Sequence, residues 1–244
     1  MPRFFVPKEA FFEGGVKIEG QDAHHIARSL RMAAGDEIWV CDNEGNEYLA
    51  TLTRIRDEEC ECEIKEKRCG TSEPPVDITL FMAYPKSDKL ETVIQKAVEL
   101  GASRIVPFES SRCIKRPKAE KAEKQNARLM RIAEEAAKQC GRAKLPSVSE
   151  PLSFGAALSE AKNSELALFC YEGEGTVSLK KVLTENSTVK TISVTVGSEG
   201  GFSHEESEKA KEAGLIPVNL GPRILRCETA PAYALSAISY FFEL

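Results

Sequence analysis

From residue 77 onward, short apolar runs alternate with stretches in which apolar residues recur every three or four positions. Asp77–Tyr84 is a run of strand character, and Leu90, Val93, Ile94, Ala97 and Val98 then share one helical face until Gly101 stops it. Arg104–Phe108, Leu166–Cys170, Thr191–Val196 and Ile216–Leu220 read as further short strands. The runs at 166 and 191 are apolar throughout, as in a parallel sheet covered on both faces. Residues 118–140 form a long helix opened by Pro117, and Thr229–Phe242 a final one. Between them Ser203–Ala213 starts with Ser203 and, three residues on, Glu206, the pattern of a capping box. The alternation predicts an α/β domain with a mostly parallel sheet.

Residues before 73 follow another rhythm. Asp22–Arg31 reads as a short helix capped by Asp22, and Gly35-Asp36 turns the chain into Glu37–Asp42. A turn cluster at 43–46 separates it from the alternating runs Glu47–Arg54 and Cys60–Lys67. Short strands with tight turns predict a small β-barrel-like domain. Gly70–Pro75 is a linker, since its two prolines exclude helix and weaken strand pairing, so the expected domains are 1–72 and 76–244.

With 244 residues and 42% hydrophobic content there is enough apolar material for two cores. No apolar run approaches the roughly 20 residues of a membrane-spanning helix, and Met1–Pro7 lacks a signal-peptide pattern, so a cytoplasmic location is expected. Eight cysteines without a CxxC pair read as reduced, buried thiols. Cys60, Cys62 and Cys69 are the group nearest to metal spacing, and no metal is expected.

Charge divides the chain more sharply than its net of −5 suggests. Residues 86–144 carry 15 Lys/Arg against 8 Asp/Glu, whereas 1–73 carry 10 against 16 and 145–244 carry 8 against 13. One basic stretch on an acidic protein suits either a polyanion that meets a single face or a solvated helix surface. Its members include Arg112, Lys115, Arg116, Lys118, Lys121, Lys124, Arg128, Arg131, Lys138, Arg142 and Lys144.

Candidate chemistry lies in two loops that leave strands. Gly197-Ser198-Glu199-Gly200-Gly201-Phe202-Ser203 holds three glycines, which let a ligand approach the backbone, but it is neither a GxGxxG nor a Walker sequence. Leu220-Gly221-Pro222-Arg223-Ile224-Leu225-Arg226-Cys227-Glu228 sets two apolar residues between arginines where a loop is normally polar. Ile224 and Leu225 either face a ligand or plug the core.

These loops carry a resemblance. Gly197-x-Glu199-Gly200-Gly201-Phe202-Ser203-x-x-Glu206 and Leu220-Gly221-x-Arg223-Ile224-Leu225-Arg226-x-Glu228-Thr229-Ala230 closely resemble the SPOUT-superfamily methyltransferases. More narrowly, the chain is similar to the small-subunit (16S) ribosomal RNA uridine-N3 methyltransferase family. Further marks are His25-x-x-x-x-Leu30-Arg31, the block from Lys86 through Lys89, Glu91 and Gln95 to Gly101, Ser111-Arg112-Cys113, and Gln139-Cys140-x-Arg142. Ser198 stands where that family usually has proline, and Cys227 where threonine is usual.

The resemblance implies a PUA-like RNA-binding domain and an α/β domain tied in a trefoil knot. It implies S-adenosylmethionine bound by Gly197, Glu199, Gly200, Leu220, Gly221, Ile224 and Leu225. Arg226 is the candidate cation beside the pyrimidine oxygens, with Glu199 or Glu228 taking the N3 proton or holding a loop instead. Arg3, His25, Arg28, Arg31, Arg112, Gln139 and Arg142 are the candidate contacts to 16S ribosomal RNA of the small subunit. A methyltransferase acting on another RNA, or a ribosome-assembly factor without catalysis, uses the same basic face. The last helix, apolar nearly all round, implies a homodimer, as does the resemblance.

Overall fold

The computed structural model describes residues 1–86, 88–114 and 122–244, grouped in two units: 1–73 with 137–145, and 74–136 with 146–244. Lys115, Arg116, Pro117, Lys118 and Lys121 lie outside the described residues.

In the first unit, strands β1 (Arg3–Phe5), β2 (Phe11–Phe12), β3 (Gly15–Glu19), β4 (Glu37–Cys41), β5 (Asn46–Ile55) and β6 (Glu59–Cys69) form one sheet in the order β1-β4-β5-β6-β3-β2. Only β1–β4 is parallel. Register shifts at Leu49/Ala50 and Leu52/Arg54 mark bulges, which bend and twist a strand pair, and so curl this sheet. Its concave side buries Phe4, Val16, Ile18, Ile38, Val40 and Leu52 with Cys60 and Cys62, while Cys69 is exposed. The expected Asp22 cap is not formed. Helix α1 (Gly20–His24) begins earlier, after Glu19, runs into a π turn at His25–Ser29, and leaves Asp22 paired with Lys138 at 2.7 Å.

The second unit holds a sheet in the order β10-β8-β7-β13-β11-β14-β12, with β9 (Ser147–Val148) added on β8, and every pairing is parallel. Its strands are β7 (Asp77–Ala83), β8 (Arg104–Glu109), β10 (Leu152–Ser153), β11 (Leu166–Cys170), β12 (Val177–Ser178), β13 (Thr191–Val196) and β14 (Ile216–Asn219). Helices α2 (Lys89–Glu99), α3 (Ala122–Cys140, of which residues 137–140 belong to the first unit), α4 (Phe154–Ala161), α5 (Leu179–Glu185), α6 (His204–Glu212) and α7 (Thr229–Glu243) connect or flank them. Because β7, β13, β11 and β14 are consecutive neighbours, the loops after them leave side by side at the carboxyl edge, where open α/β sheets bind ligands.

Candidate functional site

The glycine loop is a built turn. Gly201 N–H donates to the Ser198 carbonyl at 2.9 Å, and Gly201 takes φ +61°, a conformation costly to any residue with a side chain. Behind the turn, Phe202 is buried with its ring 4.2 Å from that of Phe169 and stacked at 6.3 Å on Phe108. Ahead of α6 the expected capping box is present. Ser203 Oγ accepts from Glu206 N–H at 3.1 Å, and Glu206 Oε2 accepts from Ser203 N–H at 2.9 Å. The other Glu206 oxygen accepts from Ser111 N–H at 2.7 Å, tying the 110–114 segment to the same turn. Arg112 Nη1 completes this link by donating to the Gly200 carbonyl at 2.9 Å.

The second loop faces the first across a cavity of about 300 Å³, at the small end of the range for sites that enclose small molecules. Tyr171, Glu172, Gly197, Gly201, Leu220, Gly221, Ile224 and Leu225 are among its lining residues. Ile224 is 79% exposed, so it does not plug the core; with Leu225 it presents an apolar wall to the cavity. Glu199 and Gly200 belong to the turn but stand outside the lining.

Three chain segments meet beside this cavity. Lys89 Nζ, at the start of α2, lies 3.1 Å from Glu199 Oε1 and 3.1 Å from Glu228 Oε2. Lys86 N–H also donates to both Glu199 oxygens, at 3.1 and 3.2 Å. The buried Cys227 Sγ donates to Glu228 Oε2 at 3.2 Å, and its thiol is pushed up to about 12, first by burial. Glu228 is held down at about 2, first by its own backbone N–H, then by Cys227 and Lys89. Glu199 is also lowered: burial opposes it, but its backbone N–H and Lys89 outweigh the burial. The motif that holds Lys89 assigns it no role by itself. Only a contact between residues 110 and 139 positions apart singles it out.

Arg226 is exposed, with its carbonyl accepting from Thr229 and Ala230 N–H at 2.9 Å. Neither it nor Arg223 has an ion-pair partner among the described residues.

The expected RNA contacts divide. Arg31, His25 and Gln139 are exposed. Arg28 is exposed but paired with Asp57. Arg3 is paired with the buried Glu47 at 2.5 Å, and Arg142, 3% exposed, with Glu73 at 2.7 Å. Within the basic stretch, Arg128 pairs with Glu91 and Arg131 with Glu135. Much of its charge is therefore already balanced. Among the described residues no three His, Cys, Asp or Glu side chains converge as metal ligands.

A family model described as an RNA methyltransferase domain matches residues 72–239, and one described as an RNA methyltransferase PUA domain matches residues 18–65. The chain is 35% identical to the ribosomal RNA small subunit methyltransferase E of Bacillus subtilis, over 100% of this chain and 98% of that one. A crystal structure of the enzyme of that name from Neisseria gonorrhoeae, bound to S-adenosyl methionine, superposes with a TM-score of 0.88 at 32% identity, covering 99% of this chain and 98% of that one. A putative methyltransferase from Legionella pneumophila, in complex with bound SAM, gives a TM-score of 0.87 at 28% identity, covering 98% of this chain and 96% of that one. The chain belongs to the ribosomal RNA small subunit methyltransferase E family.

Proposed function

We propose that this protein methylates N3 of a uridine in 16S ribosomal RNA of the small subunit, using S-adenosylmethionine held in the cavity between the glycine turn and the 220–227 loop. The single observation that carries the reading is that cavity, built by glycines and apolar residues at the carboxyl edge of the sheet in a chain of this family. The residues present fit the cofactor. A side chain at Gly201 would meet Glu172 Oε1 at 2.7 Å, and one at Gly197 would meet the Gly201 backbone at 3.1 Å, so the turn is kept bare. Leu220, Ile224 and Leu225 supply apolar surface for the purine, and backbone groups of Gly197 and Gly221 supply its polar contacts.

When bound, S-adenosylmethionine supplies an activated methyl group, so the protein's work is positioning and charge control. Arg226, exposed beside the cavity and unpaired among the described residues, stabilises negative charge on the pyrimidine oxygens as the N3 proton leaves. Glu199 and Glu228, engaged by Lys89 and held below the ordinary carboxylate range, are weak proton acceptors. Both acids are engaged by Lys89 and keep the loops in place, and the N3 proton goes to hydroxide or a buffer base from the solvent that reaches the exposed Arg226. RNA phosphates meet the exposed Arg31, His25 and Gln139, and the base that is methylated is unpaired, because N3 lies on the pairing edge. The trefoil knot, the homodimer and a cytoplasmic location belong to this proposal.

Calorimetry with S-adenosylmethionine, followed by transfer of a labelled methyl group to small-subunit particles, large-subunit RNA and transfer RNA, tests it. Label confined to the small subunit is expected. Label in transfer RNA alone, or no cofactor binding, contradicts it.

A further inference from the structure

The cavity walls come from separate stretches of chain, and a loop after one strand has no covalent reason to keep its distance from a loop after another. Sheet pairing fixes where the loops start, but it leaves their tips free. At this site one ammonium group spans the tips. Lys89 Nζ reaches Glu199 of the glycine turn and Glu228 of the second loop at 3.1 Å each, with Cys227 Sγ at 3.7 Å. Lys86 N–H binds the same Glu199 carboxylate, so the turn is held by the backbone of Lys86 and by the side chain of Lys89 at the start of α2. Lysine is an unfavourable choice in the first turn of a helix, where the dipole disfavours a cation. Its two carboxylate partners offset that cost.

We propose that Lys89 is a positioning residue that fastens the glycine turn to the 220–228 loop, giving the cofactor cavity its width before a ligand enters. This rests on the reading that the cavity takes S-adenosylmethionine. Lys89 acts through Glu199 and Glu228, neither of which lines the cavity, so its effect on the ligand runs through the position of the loops and not through contact. Loosening the clasp therefore adds an ordering cost that falls equally on S-adenosylmethionine and on its uncharged-sulfur product, S-adenosylhomocysteine.

The test compares wild type, Lys89→Met and Lys89→Arg by calorimetry with each of those two ligands, and by amide hydrogen exchange without ligand. Lys89→Met is expected to weaken both ligands by the same factor of roughly ten, about 1.4 kcal/mol. It should speed exchange in residues 197–201 and 220–228 together, and raise KM for the cofactor more than it lowers kcat. Lys89→Arg, which still spans both carboxylates, should restore most of the loss. If Lys89→Met does not fold, Glu199→Ala and Glu228→Ala each remove one arm, and each should loosen both loops. Unchanged affinity with unchanged exchange would overturn the clasp. So would weakening of S-adenosylmethionine alone, or a fall in kcat with KM preserved, either of which would place Lys89 at the reacting atoms. A wild-type protein that binds neither ligand would remove the cofactor reading instead, and the exchange comparison would still decide whether the clasp exists.

Discussion

Arg112 and Gly200, 88 residues apart, are joined by a hydrogen bond from the Arg112 guanidinium to the Gly200 carbonyl at 2.9 Å. The sequence placed Arg112 among the RNA contacts, yet this bond gives it a duty on the glycine turn. Arg112→Gln is therefore expected to weaken S-adenosylmethionine binding in the absence of RNA by about threefold, below the usual worth of a charge-assisted hydrogen bond because the pair is exposed. Calorimetry without RNA checks it, and an effect seen only on RNA binding would contradict it.

Gly201 tests the turn itself. At φ +61°, a Cβ adds about 1 kcal/mol of backbone strain and points at Glu172. Gly201→Ala should lower cofactor affinity by at least fivefold while the melting temperature moves only a few degrees. Calorimetry and thermal unfolding on one preparation separate the two effects.

Two arginines that the sequence grouped together should behave in opposite ways. Arg142 is buried against Glu73, which also accepts from Ala143 and Lys144 N–H at 2.8 and 3.1 Å. Arg142→Ala leaves that carboxylate without its cation and is expected to cost about 3 kcal/mol in urea unfolding. Arg31, exposed and unpaired among the described residues, should be neutral for stability. Arg31→Gln should instead flatten the log–log salt dependence of RNA binding by roughly 0.7 to 0.9.

The same pair sets a pH dependence. Burial raises the Glu73 carboxyl, but hydrogen bonding and charge from Arg142 outweigh it, so the folded value lies below the ordinary 4.5. A depressed carboxylate contributes its full stabilisation above the unfolded value and loses it as pH falls through the folded one. Urea midpoints should therefore be flat in this contribution from pH 8 to about 5 and decline below 4.5, and Glu73→Gln should blunt the decline.

Helix α7 supports the homodimer proposal. It buries Ala234, Leu235 and Ile238 on one side, while Tyr240 is 72% exposed and Tyr233 and Phe241 also face outward. Light scattering should give about twice the 26.9 kDa chain mass at micromolar concentration, and Phe241→Asp should shift it to monomer. A wild-type monomer that transfers methyl groups at full rate would rule the dimer out.

Hydrophobic periodicity made β7, α2, β13 and α7 legible because each carries its own buried face. The capping box at Ser203 and Glu206 was equally readable, since both partners lie within one turn. The two-residue strands β9, β10 and β12 were not, because pairing with a longer neighbour stabilises each of them and leaves no pattern of their own. At the site, the loops could be read from their glycines and apolar pair. The clasp at Lys89 could not, because it depends on strand order, and strand order is a tertiary fact. For the same reason a basic stretch in the sequence did not reveal that Arg142 and Arg128 already have carboxylate partners.

The most direct measurement of the central claim is nucleoside mass spectrometry of small-subunit RNA incubated with the protein and methyl-deuterated S-adenosylmethionine. The substrate particles should come from cells lacking the enzyme. One deuterated methyl group on N3 of uridine is the expected product, and Arg226→Gln should reduce its rate of formation by about a hundredfold, of the order seen when a charge-stabilising donor is removed. Label on ribose oxygen or on a carbon of the base, or small-subunit RNA that stays unlabelled while the protein binds the cofactor, would contradict the account.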